Sequence, residues 1–255
     1  MNIVRYGRGD VVAYGILDGD TVYEASGDPY TGGPTRGTAV GPLSDVTLHA
    51  PVQPSKIIAI GLNYQDHIDE DAFDFERPEN PIVFLKPPSS LVGHGASIVL
   101  PAGTEKVDSE AELGVVIGRR CRNVKGVDYQ DVILGLTNSN DVSARDYQFK
   151  DGQWARAKGF DTFSPVGPAI VTETDPTNRA ITCRLNGEVR QQSNTDMLIF
   201  DVPTLIEFVS RVMTLEPGDI IMTGTPAGPP TMSPGDVVEI EIDGLGELRN
   251  TAVAE

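Results

Sequence analysis

At 255 residues, 39% of them hydrophobic, the chain is long enough to bury one large core beside a small appendage and too apolar to be disordered. Its 37 acidic and 20 basic residues leave a formal net charge of −17, a field that repels nucleic-acid phosphates and anionic membrane surfaces. The opening residues MNIVRYGRGD lack the apolar stretch of a signal peptide, and no run in the chain is long enough to span a bilayer.

Twenty-seven glycines and 19 prolines at irregular positions predict many turns and a strand-rich fold. Residues 11–17 and 21–25 are strand candidates joined at Asp18-Gly19-Asp20, an Asp-Gly hairpin signal. Arg8-Gly9-Asp10 reads as a turn between two strands. The stretch 26–44, rich in Gly, Pro and Thr, reads as a loop. These features predict a small N-terminal β domain, residues 1–53, packed on a larger domain, residues 54–255.

Beyond Lys56 the strand candidates are longer and more apolar: 57–60, 82–85, 112–117, 169–171, 181–185, 220–223, Val237–Ile242 and 248–253. Val202, Leu205, Ile206, Val209, Val212 and Met213 follow helical spacing, with Asp201 as N-cap and Pro203 in the first turn. A shorter helix is expected over 129–134, stopping at Gly135. The fold class is therefore α+β, mainly β. Cys121 and Cys183 have no metal-ligand spacing and read as reduced structural thiols in a cytoplasm.

The clearest chemical pattern is Asp108-Ser109-Glu110-Ala111-Glu112, leading into an apolar strand. In one continuous strand the three acids share a face, where like charges repel. A bound cation removes that conflict, and an oxygen-only set suits Mg²⁺, Mn²⁺ or Ca²⁺. The competing explanation is an exposed strand end with solvated acids.

A polar run at 137–148 follows an apolar element and reads as a loop or a site. Within it, Arg145 and Gln148 could meet a substrate's carboxylate and carbonyl. Lys158, one of six lysines, lies among apolar and aromatic residues and needs a partner, such as a metal-bound oxyanion. An ordinary surface lysine fits the spacing too. His67 and Glu70 are three residues apart, so one helical turn would pair imidazole with carboxylate as a general base, although a surface turn has the same spacing. His49 and His94 have no such partner and read as structural. The chain has no Gly-x-Ser-x-Gly elbow, phosphate loop or dinucleotide fingerprint.

From Lys56 to the C-terminus the chain resembles the catalytic domain of the fumarylacetoacetate hydrolase family. The matching stretches are AIGLNYQDH at 59–67, PIVFLKP at 81–87, EAELGVVIG at 110–118 and NDVSARD at 140–146. They continue with KGFDTFSPVGP at 158–168, TLEPGD at 214–219 and TGTPAG at 223–228, in that order. Three departures stand out. Gly159 replaces a frequent serine, Ser109 a frequent aromatic, and residues 227–235 are shortened and proline-rich.

The resemblance implies a β-sandwich roll, often homodimeric, with a small N-terminal domain in some branches. It implies that Glu110, Glu112 and Asp141 bind one Mg²⁺ or Mn²⁺, with Asp108 outside that set. Lys158 then stabilises developing negative charge, Arg145 and Gln148 contact substrate, and Thr225 holds its carboxylate. The His67–Glu70 dyad sits on a lid over 69–81 and activates water.

The implied reaction is cleavage of a carbon–carbon bond in a small 2-oxo or 1,3-dicarbonyl acid, of acylpyruvate hydrolase or oxaloacetate decarboxylase type. Two alternatives remain. One is a 2-hydroxyhepta-2,4-diene-1,7-dioate isomerase or 5-carboxymethyl-2-oxo-hex-3-ene-1,7-dioate decarboxylase of aromatic catabolism. The other is a non-catalytic metal- or ligand-binding protein on the same fold.

Overall fold

A computed structural model describes residues 1–69 and 77–255. Its fold is mainly β. The principal sheet runs, in spatial order, Thr35–Pro42, Thr21–Ser26, Val11–Asp18, Asn2–Arg8, Ser164–Val171, Ile133–Asn140, Ala111–Ile117, Ile220–Met222, Ile57–Gly61 and Ile82–Lys86. A second sheet runs Glu188–Asn194, Ala180–Leu185, Val237–Ile242, Glu247–Ala254 and Ser97–Leu100. Leu113, Val115 and Leu136 of the first sheet share a buried cluster with Ile181, Val238, Ile240 and Leu248 of the second, so the two form a sandwich.

The strand Ala111–Ile117 is buried at every position. One face enters that cluster. The other, through Val116, meets Ile57, Val166 and Ile220 in a second cluster. Burial on both faces explains why LGVVI shows no polar alternation.

The N-terminal strands form an antiparallel meander whose first strand pairs Asn2 with Val171 and Ile3 with Ile170. The meander is thus hydrogen-bonded into the principal sheet as well as packed against it. Gly9 and Gly19 adopt positive φ at the turns after Arg8 and Asp18, where an L side chain is disfavoured. The helix Val202–Val212 buries Val202, Leu205, Ile206 and Val209, and the Asp201 carboxylate accepts from Thr204 N at 3.0 Å. No helix among the described residues is long and apolar enough to cross a membrane.

Four expectations need correction. The helix over 129–134 is a 3₁₀ turn, Gly126–Asp131, followed by the strand Ile133–Asn140. Gly135 is no helix stop; it lies mid-strand, where a Cβ would come within 2.3 Å of Val171 O. The stretch 26–44 contains the edge strand Thr35–Pro42, whose pattern is illegible because it is exposed along most of its length. Of the two readings of the polar run 137–148, the loop fails: it spans the end of one strand, the strand Ser143–Ala144 and the start of the helix Arg145–Asp151. Finally, Asp108 and Glu112 are not in one strand. Val107–Asp108 pairs with Ser143–Ala144, and a new strand begins at Ala111.

Candidate active site

Glu110 and Glu112 flank the start of the central strand, and Asp141 follows its neighbour, Ile133–Asn140. The two strands are antiparallel, pairing Ala111 with Asn140, which sets the three carboxylates side by side. Each offers an oxygen within 4.8 Å of the others, and all three are buried. Asn140 Oδ1 accepts from Glu110 N at 2.9 Å and Ser109 Oγ at 3.2 Å, pinning the break that turns Glu110 inward.

Asp108 points elsewhere. Its carboxylate meets Arg145 Nε at 2.8 Å and Thr231 Oγ1 at 2.6 Å, so it stands outside the cluster.

Cations surround the triad. Lys158, from the short helix Ala155–Lys158, donates to Glu110 Oε2 at 2.6 Å and Asp141 Oδ2 at 2.7 Å. Gly159 follows it where a Cβ would lie 2.4 Å from Ala155 O, which accounts for glycine at that position. Arg145 Nη2 lies 2.6 Å from Glu110 Oε1, and its Nη1 donates to Gln148 Oε1 at 2.7 Å. Arg145 and Gln148 are one helical turn apart on Arg145–Asp151, which brings them together.

Burial alone would push Lys158 down, but Asp141 and Glu110 hold its ammonium above the ordinary lysine range. Burial likewise opposes ionisation of Glu110, yet Lys158 and Arg145 hold it well below the usual carboxylate range. Glu112 behaves oppositely. Burial, then the facing Asp141 and Glu110 carboxylates, push it well above that range, despite a hydrogen bond from Gly224 N at 2.8 Å.

Three buried carboxylates, one of them destabilised as an anion by its neighbours, are a donor set that a divalent cation fits. Oxygen-only ligands match Mg²⁺ or Mn²⁺, and Glu110, Glu112 and Asp141 are the residues that could hold it.

His67, Glu110, Glu112, Asp141, Arg145, Gln148, Lys158 and Thr225 line one cavity of about 20 Å³, closed by Trp154 and the Gly61–Leu62 backbone. Every expected site residue among those described is therefore in one place. His67 lies in the single-turn helix Gln65–Ile68 and is 6% exposed. Glu70 and most of the expected lid lie outside the described residues. His94, read as structural, places Nδ1 3.1 Å from Glu247 O. Thr225 follows Gly224, whose φ of +99° lets its N–H reach Glu112.

Two buried residues escaped sequence reasoning. Lys86 forms an ion pair with Asp141 and donates to Phe163 O at 2.6 Å. Its signal was available, a lysine closing the apolar stretch IVFLK before proline. Gln191 donates to Thr225 Oγ1 at 2.8 Å, and nothing in its exposed-looking surroundings RQQSN marks it.

This arrangement defines a candidate divalent-cation site on a mainly β, two-sheet fold. A model of the fumarylacetoacetate (FAA) hydrolase C-terminal domain matches residues 56–253, and an Rv2993c-like N-terminal model matches residues 1–51. The chain belongs to the fumarylacetoacetate hydrolase family and is one of its enzymes.

It is 46% identical over 224 residues to the mitochondrial oxaloacetate tautomerase Fahd2a of Rattus norvegicus, covering 83% of this chain and 71% of that one. The solved structure of 5-carboxymethyl-2-hydroxymuconate delta-isomerase from Mycobacterium smegmatis is 44% identical with a TM-score of 0.91, each chain covered completely. That of 2-hydroxyhepta-2,4-diene-1,7-dioate isomerase from Mycobacterium marinum is 42% identical with a TM-score of 0.92, covering 100% of this chain and 99% of that one.

Proposed function

We propose that the protein is a Mg²⁺- or Mn²⁺-dependent enzyme that cleaves a carbon–carbon bond in small 2-oxo or 1,3-dicarbonyl acids. Acylpyruvates and oxaloacetate are its proposed substrates. The observation that carries this reading is the convergence of three carboxylates, Lys158, His67, Arg145, Gln148 and Thr225 on one cavity.

Glu110, Glu112 and Asp141 would hold the cation, which would supply Lewis acidity toward a keto oxygen. Lys158 remains an ammonium and stabilises negative charge that develops on substrate oxygen. His67, oriented by Glu70, takes the proton of the attacking water. Arg145, Gln148 and Thr225 orient the acid, and Arg145 also pairs with Glu110 and Asp108. The cavity has room for about one water or ion.

The relatives favour a second reading, tautomerisation or isomerisation by proton transfer beside the keto group, with no carbon–carbon bond broken. The same residues serve it, with His67 moving a carbon-bound proton.

Turnover of acylpyruvates, oxaloacetate and hydroxymuconate-type dioates by metal-loaded protein in D₂O, followed by proton NMR, separates the readings. Two acid fragments, or loss of CO₂, support cleavage. Rearrangement with deuterium uptake and no fragments supports the second. No turnover across the panel would reject both readings.

We also propose a cytoplasmic homodimer. The two unpaired cysteines suit a reducing compartment, and sedimentation equilibrium should give twice 27.3 kDa.

A further inference from the structure

Gln191, in the strand Glu188–Asn194 of the second sheet, is fully buried and has all of its amide chemistry engaged. Its carbonyl accepts from Ala111 N at 3.0 Å. Its amide nitrogen donates to Pro226 O at 2.7 Å and to Thr225 Oγ1 at 2.8 Å. A backbone carbonyl can only accept and a backbone N–H only donate, so Pro226 and Ala111 together dictate which end of Gln191 is nitrogen. An amide nitrogen cannot accept. Thr225 Oγ1 must therefore accept from it, which takes one of the two hydroxyl lone pairs and leaves the single Thr225 O–H available to donate into the cavity that this residue lines.

We propose that Gln191 is a positioning residue that fixes Thr225 as a hydrogen-bond donor and so makes that end of the cavity select a carboxylate. A hydroxyl with no such partner can rotate to donate or accept and discriminates poorly between an anion and a neutral amide. One held as a donor favours an anionic oxygen. Gln191 also sets the distance at which this happens. Ala111 lies between Glu110 and Glu112, so one side chain ties the carboxylate strand to the Thr225 turn.

The inference rests on the proposed function in taking the ligand to be a carboxylic acid. It is tested on full-length protein loaded with Mn²⁺, with oxalate as the non-reactive probe, by titration calorimetry.

Gln191→Met and Thr225→Val should each weaken oxalate binding about tenfold, the usual order for one hydrogen bond to a charged group. Mn²⁺ affinity should stay within about twofold of wild type, and the double variant should lose no more than either single one, because the residues act as a unit. Should Gln191→Met not fold, Gln191→Glu is read in the same way. It keeps an acceptor for Ala111 N and removes the N–H donors that face Thr225 and Pro226.

Additive losses, or a fall in Mn²⁺ affinity as large as that for oxalate, would overturn the proposal and make Gln191 a strut of the carboxylate strand. Wild-type protein that binds Mn²⁺ but no oxalate defeats the carboxylic-acid reading along with this one. Wild-type and variant proteins that bind oxalate equally defeat this one alone.

Discussion

Lys86 and Asp141 form an ion pair in which both side chains are almost wholly buried. Burial pushes the Lys86 ammonium below its ordinary range while Asp141 pulls it back. Removing the cation leaves Asp141 with Lys158 alone, beside two further acids. Lys86→Met should therefore lower stability by about 3 kcal/mol, the order found when one partner of a buried pair is lost. The measurement is the urea midpoint of metal-free protein. An unchanged midpoint would mean that Lys158 suffices to neutralise Asp141.

Metal removal tests the triad directly. EDTA should abolish turnover, and Mg²⁺ or Mn²⁺, but not monovalent salt, should restore it. Glu112→Ala should remain folded and lose Mn²⁺ binding. Full activity after both treatments would make the carboxylates structural.

The raised Glu112 gives the metal-free protein a pH signature. Its folded-state value lies above the ordinary 4.5, so the folded state binds the proton more tightly than the unfolded chain. This contribution to stability is complete below 4.5 and is lost as pH rises from there through the folded value. Metal-free protein should thus gain stability from Glu112→Gln at about pH 8 and much less at about pH 4. Mn²⁺ competes with the same proton, so calorimetry in buffers of different ionisation enthalpy should show proton release on Mn²⁺ binding. Proton-neutral binding would contradict the assignment.

His67 lies in the cavity but outside the carboxylate set. His67→Ala should keep metal affinity and reduce kcat by about 10²- to 10⁴-fold, the usual contribution of a positioned base. Glu70→Ala should cost less, and the double variant about as much as His67→Ala alone. Wild-type hydrolysis by His67→Ala would remove the base from the mechanism.

Cys183 is buried, and burial pushes its thiol up to about 12. Iodoacetamide at neutral pH should leave it unmodified in native protein and label it only after unfolding. Labelling of Cys183 under native conditions, located by mass spectrometry, would show that this part of the sandwich opens.

The strands of the core were legible because their apolar runs persist whatever they pack against. Glu110-Ala111-Glu112 stood out as acids at the head of an apolar strand, but their grouping with Asp141 came from the resemblance and not from spacing. The start of the strand Ile133–Asn140 was not legible, since VILGL fits either period and its choice depended on Val116 and Val171 lying alongside. Lys86 and Gln191 were missed because each looks ordinary in its own segment. Their roles come from partners 55 and 34 residues away.

The amino-acid sequence by itself determined the mainly β character and the helix Val202–Val212, while the candidate metal set came from the resemblance to a known family. Local periodicity and residue chemistry suffice for the first two. Only the tertiary structure decided that Asp108 turns to Arg145, that two lysines share Asp141 and that Gln191 orients Thr225. Hydrogen bonds and ion pairs in a buried site depend on directions between strands distant in sequence, and those directions exist only once the two sheets have closed on each other.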